Sequence, residues 1–174
     1  MHDPAALRIA LGSIYAVGAI LAGLASRDAV GRQRTFWLLT ALLLALLMAA
    51  KELHLIDELT GSARGVVKLI GWYGIHREVQ RGLLIALSAV ALVLAALLAR
   101  WLRGSTAMVK LAAAALLFLL GLLIARAISL HAVDKWMMAA VAGMRRGWWL
   151  EAVAVLAICA AAWSAMDRRR AFSR

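Results

Sequence analysis

Five long apolar runs dominate the sequence, and shorter segments that hold most of the charged residues separate them. An α-helix rises about 1.5 Å per residue, so about 20 apolar residues cross the roughly 30 Å hydrocarbon core of a bilayer. Each apolar run has about that length. The pattern therefore predicts five membrane-spanning helices, at about residues 7–26, 36–55, 82–101, 108–130 and 148–166.

Two of the connecting segments are amphipathic rather than simply polar. The apolar residues of segment 58–70 recur at helical spacing, with Ser62, Arg64 and Lys68 on much of the other side. This pattern is typical of a helix that lies in the membrane interface. Segment 133–144, which holds Trp136 and three methionines, predicts a second and shorter interfacial helix. Trp72 and Tyr73, together with His76, Arg77 and Gln80, are expected at the interface between these elements.

The composition supports a membrane protein. Hydrophobic residues make up 65% of the 174 residues, and the mean hydropathy is +0.86. Soluble domains are about 45–50% apolar, and a chain of this size cannot hide such an excess in one core. The expected fold class is therefore all-α, a polytopic membrane helix bundle that forms one domain over residues 1–174. The single cysteine, Cys159, excludes a disulfide within one chain.

The net charge of +11 does not indicate nucleic-acid binding, because the basic residues lie at the ends of apolar runs, where they act as topology signals and contact anionic lipids. Three basic clusters fall on one side of a five-span protein: Arg27, Arg32 and Arg34; Arg100, Arg103 and Lys110; Arg168, Arg169, Arg170 and Arg174. The opposite side holds as many basic residues, but most of the acidic residues accompany them. The positive-inside rule then predicts an inner-membrane protein with the N-terminus outside and the C-terminus cytoplasmic.

Several ionisable residues lie inside the predicted spans, near their outer ends. Lys51, Arg126 and Glu151 each lie about three to five residues inside the outer boundary, or roughly 5–8 Å deep, and Glu52 shares that level. Two interpretations remain open. Lys51 and Arg126 could reach the headgroups individually, or the four residues could form a polar cluster within the bundle. The short side chains of the glutamates favour the cluster, and we expect at least one base to contact one acid.

Histidine and carboxylate residues near the same level suggest, more weakly, a metal site. His54, His131 and Asp134 could bind zinc or another divalent metal, but no dense motif such as HExxH is present. Histidines that form hydrogen bonds at the interface are the simpler interpretation. No cofactor is required by the sequence, and no nucleophile motif or phosphate-binding glycine loop is present.

One stretch resembles a pattern found in a group of small polytopic membrane proteins of bacteria. That pattern places K-x-L-x-L at the end of the second span and G-W-Y, then R-x-x-Q, before the third. Here the corresponding residues are Lys51-Glu-Leu-His-Leu, Gly71-Trp-Tyr, Arg77 and Gln80. The resemblance implies a bacterial membrane protein but no activity, and His54 stands where we expect an acidic residue.

Three functions are compatible with these features. The first is a non-catalytic inner-membrane component that binds a partner, which could be another membrane protein or a second copy, or a small ligand through its outer polar site. The second is a membrane-embedded metal-dependent hydrolase of lipid-linked substrates, with His54, His131 and Asp134 as ligands and Glu52 or Glu151 as general base. The third is a small transporter that acts as a dimer.

Overall fold

The computed structural model describes residues 5–52, 76–128, 136–141 and 144–172. These residues form five long helices, a short helical stretch at residues 136–138 and one short antiparallel strand pair, so the predicted all-α class is confirmed for the part of the chain described. The helices are α1 (Ala5–Asp28), α2 (Arg32–Glu52), α3 (His76–Trp101), α4 (Ala107–Ile128) and α5 (Arg146–Phe172). The strands are β1 (Ala140–Val141) and β2 (Met144–Arg145).

Four of these helices are long and apolar enough to cross a membrane: Ile9–Asp28, Arg32–Glu52, Ala107–Ala125 and Arg146–Asp167. They coincide with the first, second, fourth and fifth predicted spans. The third predicted span, residues 82–101, falls within α3, whose described apolar stretch is the shorter Ser88–Trp101. The chain therefore has the character of a membrane protein, with four spanning helices identified by length and composition.

The two predicted interfacial helices have different outcomes. Segment 58–70 lies outside the described residues. In segment 133–144, residues 136–138 are helical, but Ala140 and Val141 pair with Arg145 and Met144 as antiparallel strands. The prediction of one continuous helix is therefore wrong in its second half.

Helix α1 lies between α2 and α5 and packs extensively against both, while α4 packs on the far side of α5. Helix α3 makes only slight contact with α4. Two ends of the bundle can be distinguished. One end, called the arginine end below, holds the α1–α2 connection, the α3–α4 connection and the end of α5. At the other end, called the Glu151 end below, α1 and α5 begin and α2 finishes.

At Gly18 of α1, side chains of both α2 and α5 approach the backbone closely. A Cβ placed there would lie 3.1 Å from Leu44 Cδ1 on α2, 3.2 Å from Val155 Cγ1 on α5 and 3.4 Å from the Sγ of Cys159. Without a side chain at this position, both neighbours approach the α1 backbone, as small residues permit in membrane bundles. Gly18 therefore fixes the separation of the helices.

The small-residue stripe that the sequence suggests on α1 (Gly12, Ala16, Ala19 and Gly23) is only partly the packed face. Gly12 is buried against α2, but a Cβ on Gly23 would meet no atom within 4 Å. The packed face is rotated from that stripe and runs through Leu11, Tyr15, Gly18, Ala22 and Ala25. Ala19 packs at the edge of the core, whereas Gly23 faces open space, so size alone does not identify the interface.

Hydroxyl groups within the helices bond to their own backbone. Thr40 donates to the Phe36 carbonyl at 2.9 Å, Ser26 donates to the Gly23 carbonyl at 2.6 Å, and Ser13 and Ser164 do the same at four-residue spacing. A carbonyl one turn back is the natural acceptor for a helical Ser or Thr. Because lipid offers no alternative partner, these bonds allow hydroxyls to lie inside the apolar spans.

We expect Gly18→Leu to destabilise the bundle because the added side chain must displace Leu44 or Val155. Overpacking of this kind typically costs about 1–3 kcal/mol. Gly23→Leu is the matched control on the same helix, and its effect should lie within about 0.5 kcal/mol of wild type. The measurement is the midpoint of unfolding by sodium dodecyl sulfate in mixed micelles. Equal midpoints for the two variants would contradict the three-helix contact.

Candidate functional site

The polar centre of the molecule is an ion pair that joins two helices near the Glu151 end. The ammonium group of Lys51, in the last turn of α2, donates to the Oε2 of Glu151 in the second turn of α5. The two residues are 100 positions apart in the sequence. The expected contact between a base and an acid of the predicted spans is thus present in the structure.

Burial differs between the two members of the pair. The Glu151 side chain is 5% exposed and the Lys51 side chain is 23% exposed. The carboxylate is therefore enclosed by the bundle, whereas the lysine reaches it from a partly open position. An ionised group inside a span is costly, and a nearby opposite charge reduces that cost. The arrangement explains how Glu151 is accommodated among apolar helices.

Tyr15 of α1 completes the surroundings of the lysine. The Nζ of Lys51 lies 5.4 Å from the centroid of the Tyr15 ring, within the range of a cation–π contact. Tyr15 is 1% exposed, so its ring forms a wall of the site between α2 and α5. The site is therefore built by three helices, with an aromatic face from α1, a cation from α2 and a carboxylate from α5.

The other two members of the predicted polar cluster are placed differently. Glu52 is exposed, and its carboxylate lies over α1, where a Cβ on Gly12 would come within 2.6 Å of its Oε1. Arg126 belongs to α4, but its side chain lies outside the described residues. The structure therefore brings Lys51 and Glu151 together and places Glu52 one position along, against a neighbouring helix.

A short segment folds over the beginning of α5 and covers the site. The Arg146 amide donates to the Ala139 carbonyl at 3.0 Å, and the Trp149 indole donates to the Val141 carbonyl at 3.1 Å. The Arg146 guanidinium lies 5.4 Å from the centroid of the Trp136 ring. These contacts hold residues 136–141 against the beginning of α5, and Arg145 of β2 lines the same cavity as Glu151.

A cavity of about 30 Å³ lies between this segment, α4 and α5. Among the described residues, Arg145 and Glu151 are the charged ones that line it, together with Met137, Met138, Leu122, Gly147 and Trp148. One buried water needs roughly 10–15 Å³, whereas sites for small-molecule ligands are usually about 300–1,000 Å³. The cavity is therefore of a size for water and too small for a metabolite.

The remaining predicted site residues fall where the structure gives no side-chain geometry. The proposed metal ligands His54, His131 and Asp134, and the interfacial Trp72 and Tyr73, lie outside the described residues. His76, Arg77 and Gln80 begin α3, with side chains outside the description. Among the residues that are described, no group of three or more His, Cys, Asp and Glu side chains could hold a metal ion.

Sequence reasoning missed two residues that the structure places at the site. Tyr15 is the only tyrosine in the first predicted span, and its polar hydroxyl in an apolar span indicated that it faces the interior of the bundle. Arg145 had no such signal, because its proximity to Glu151 depends on the strand pair that the helical interpretation of segment 133–144 did not include.

We expect Lys51→Met to lower stability more than Glu151→Gln. Lys51→Met removes the cation that faces an enclosed carboxylate, a change that costs about 3–5 kcal/mol in a buried pair. Glu151→Gln leaves a lysine that is 23% exposed and can extend to water. The double variant should lose less unfolding free energy than the two single variants lose in sum, and the difference, the coupling energy, should be about 1–3 kcal/mol.

The matched control is Arg34→Met, which removes an exposed base at the other end of α2 and should have little effect. All four variants are compared by detergent unfolding at constant lipid content. Additive effects of Lys51→Met and Glu151→Gln would show that the contact does not stabilise the bundle.

Comparison of the chain with protein-family models, with curated proteins and with solved structures finds no match.

Proposed function

We propose that this protein is a five-span, non-catalytic component of a bacterial inner membrane that binds a partner protein through the Glu151 end. The span that is added to the four identified ones is α3, the third in chain order, whose 26 residues extend about 39 Å at the usual helical rise. The Arg32 guanidinium, at the start of α2, bonds to the Trp101 carbonyl at 3.5 Å. Helix α3 therefore finishes at the arginine end, antiparallel to α2, and this arrangement supports the proposal that α3 crosses the membrane.

The observation that carries the partner-binding proposal is an exposed apolar surface beside the ion pair. We call it the Trp136 patch, and it consists of Trp136, Met138, Val141 and Trp149, which are 52%, 51%, 45% and 43% exposed. Tryptophan and methionine are enriched in the cores of protein interfaces. Three residues of the patch lie on the segment held against α5 and Trp149 lies on α5 itself, and the hydrogen bond from Trp149 to Val141 joins the two parts. A prearranged surface binds with less ordering cost.

The size of the cavity beside Glu151 favours a partner protein over a small ligand. With room only for water, it cannot enclose a metabolite, but water there can connect Arg145 or Glu151 to polar groups on a partner. The partner is another membrane protein or a second copy of this chain. The metal-hydrolase hypothesis depends on His54, His131 and Asp134, and no observation on the described residues favours it.

The orientation that accompanies this proposal has the N-terminus and the Glu151 end outside and the arginine end in the cytoplasm, on the evidence of the three basic clusters. A Cys159→Ser background has no other cysteine and allows single cysteines to be introduced. Met138→Cys should react with a membrane-impermeant maleimide in intact spheroplasts. Thr106→Cys, exposed at the arginine end, should react only after permeabilisation. The reverse pattern would invert the topology.

Partner binding can be tested by replacing Met138 with a photoreactive amino acid in living cells. We expect a defined protein adduct, and a decrease of about tenfold or more when Trp136→Ala or Trp149→Ala is added, since central tryptophans often contribute 2 kcal/mol or more to an interface. Coexpressed copies with two different tags distinguish self-association from a different partner. Leu92 on α3, which is 71% exposed, is the control position. Adducts with lipid alone, or the same adducts from position 92, would contradict the proposal.

A further inference from the structure

A larger groove lies at the arginine end, between α3 and α4. Its volume is about 380 Å³, within the range of about 300–1,000 Å³ that is usual for small-molecule sites. Alanine and leucine residues of the two helices line its length, and two basic side chains complete the lining, Arg103 from the connection and Lys110 from the first turn of α4. It is thus an apolar groove with cationic groups at one end.

The groove exists because the facing positions carry small side chains. Ala95 and Ala99 of α3 line the groove together with Ala113 and Ala114 of α4, and α3 makes only slight contact with α4. In the membrane, lipid chains are the surrounding solvent, so a space of this kind between two spanning helices is open to them. A larger residue at an exposed position such as Ala99 or Ala114 would occupy part of this space.

The positive charge of the groove favours a lipid with an anionic headgroup. Arg103 and Lys110 are both exposed, and none of the nine described residues that line the groove is acidic. Lys110 lies in the first turn of α4, whose unpaired backbone amides add partial positive charge at the same level. Arginine and lysine are the side chains that bind phosphate groups most strongly.

The dimensions match one lipid chain beneath a headgroup. From Lys110 to Leu117, α4 rises about 10 Å, so the groove runs from the basic level into roughly the first third of the hydrocarbon core. A phosphate held by Arg103 and Lys110 would place the beginning of its acyl chain along the alanine-lined part. A free phosphate would leave that apolar part unfilled.

We propose that this groove is a binding site for an acidic phospholipid, with the phosphate on Arg103 and Lys110 and one acyl chain between α3 and α4. The site is separate from the Trp136 patch at the opposite end of the bundle. It does not depend on a partner protein or on the orientation of the chain. The lipid fills the space beside α3 and thereby supports a helix that packs only slightly on the rest of the bundle.

Native mass spectrometry of the full-length chain in detergent tests the proposal, by titration with phosphatidylglycerol and with phosphatidylcholine of identical acyl chains. We expect one phosphatidylglycerol bound per chain, in preference to phosphatidylcholine. The Arg103→Gln/Lys110→Gln variant should bind it about 30-fold more weakly, on the basis of the usual contribution of a basic residue at an anionic membrane surface. Ala114→Phe, which fills the groove, should also abolish the preference, and millimolar inorganic phosphate should not displace the lipid.

Matched controls separate a defined site from general attraction. Arg34→Gln removes an exposed base at the same end, and Ala160→Phe enlarges an exposed alanine on α5. Both should leave the affinity unchanged. If Ala114→Phe does not give a monodisperse protein, Ala99→Leu replaces it as the groove-filling variant. The proposal would be overturned if both lipids bound equally, if Arg34→Gln lost as much affinity as the double variant, or if the groove-filling variant had no effect. It would also be overturned if the protein were a dimer that the groove-filling variant dissociates.

Discussion

A carboxylate enclosed by membrane-spanning helices requires a cation nearby, and the Lys51–Glu151 contact meets that requirement. The contact also restricts the geometry of the bundle, because each helix has to be rotated so that its charged residue faces the other. Helix α1 lies between the two, so the lysine passes beside Tyr15 to reach the carboxylate. The rotation of α2, the rotation of α5 and the position of the Tyr15 ring are therefore mutually dependent.

The close packing at Gly18 acts together with the ion pair. Leu44 and Val155 meet the backbone of α1 there, about one turn from Tyr15, so α2 and α5 can extend past α1 at a separation that the lysine side chain can bridge. Helix α3 has no comparable anchor among the described residues. In the part of the chain that the structure describes, α1, α2, α4 and α5 are thus joined by extensive packing, whereas α3 is joined by slight contact with α4, by the connection to α4 and by the Arg32–Trp101 hydrogen bond.

The sequence was sufficient for the elements whose signal is local. Span lengths follow from runs of apolar residues, and the four identified spans lie close to their predicted bounds. Depth estimates placed Lys51 and Glu151 at one level, but they could not distinguish Glu151 from Glu52 as the partner, since that depends on which face of each helix points inward. The pairing of residues 140–141 with 144–145 and the groove beside Ala114 were not foreseen, because a two-residue pairing has too few positions for periodicity and a groove depends on the angle between helices.

The sequence separation of the ion pair has a consequence for biosynthesis. Chains are made from the N-terminus at about 5–20 residues per second, so Lys51 is complete about 5–20 s before Glu151, which lies 100 residues later. During that interval α2 has to reside in or near the bilayer without its counterion. A lysine tolerates the delay better than a glutamate, because its long aliphatic chain allows the ammonium to reach the headgroups. Of the two charged residues, the one synthesised first is therefore the lysine, whose side chain can reach water by itself. When α5 is inserted, Glu151 provides the counterion that draws the ammonium group into the bundle.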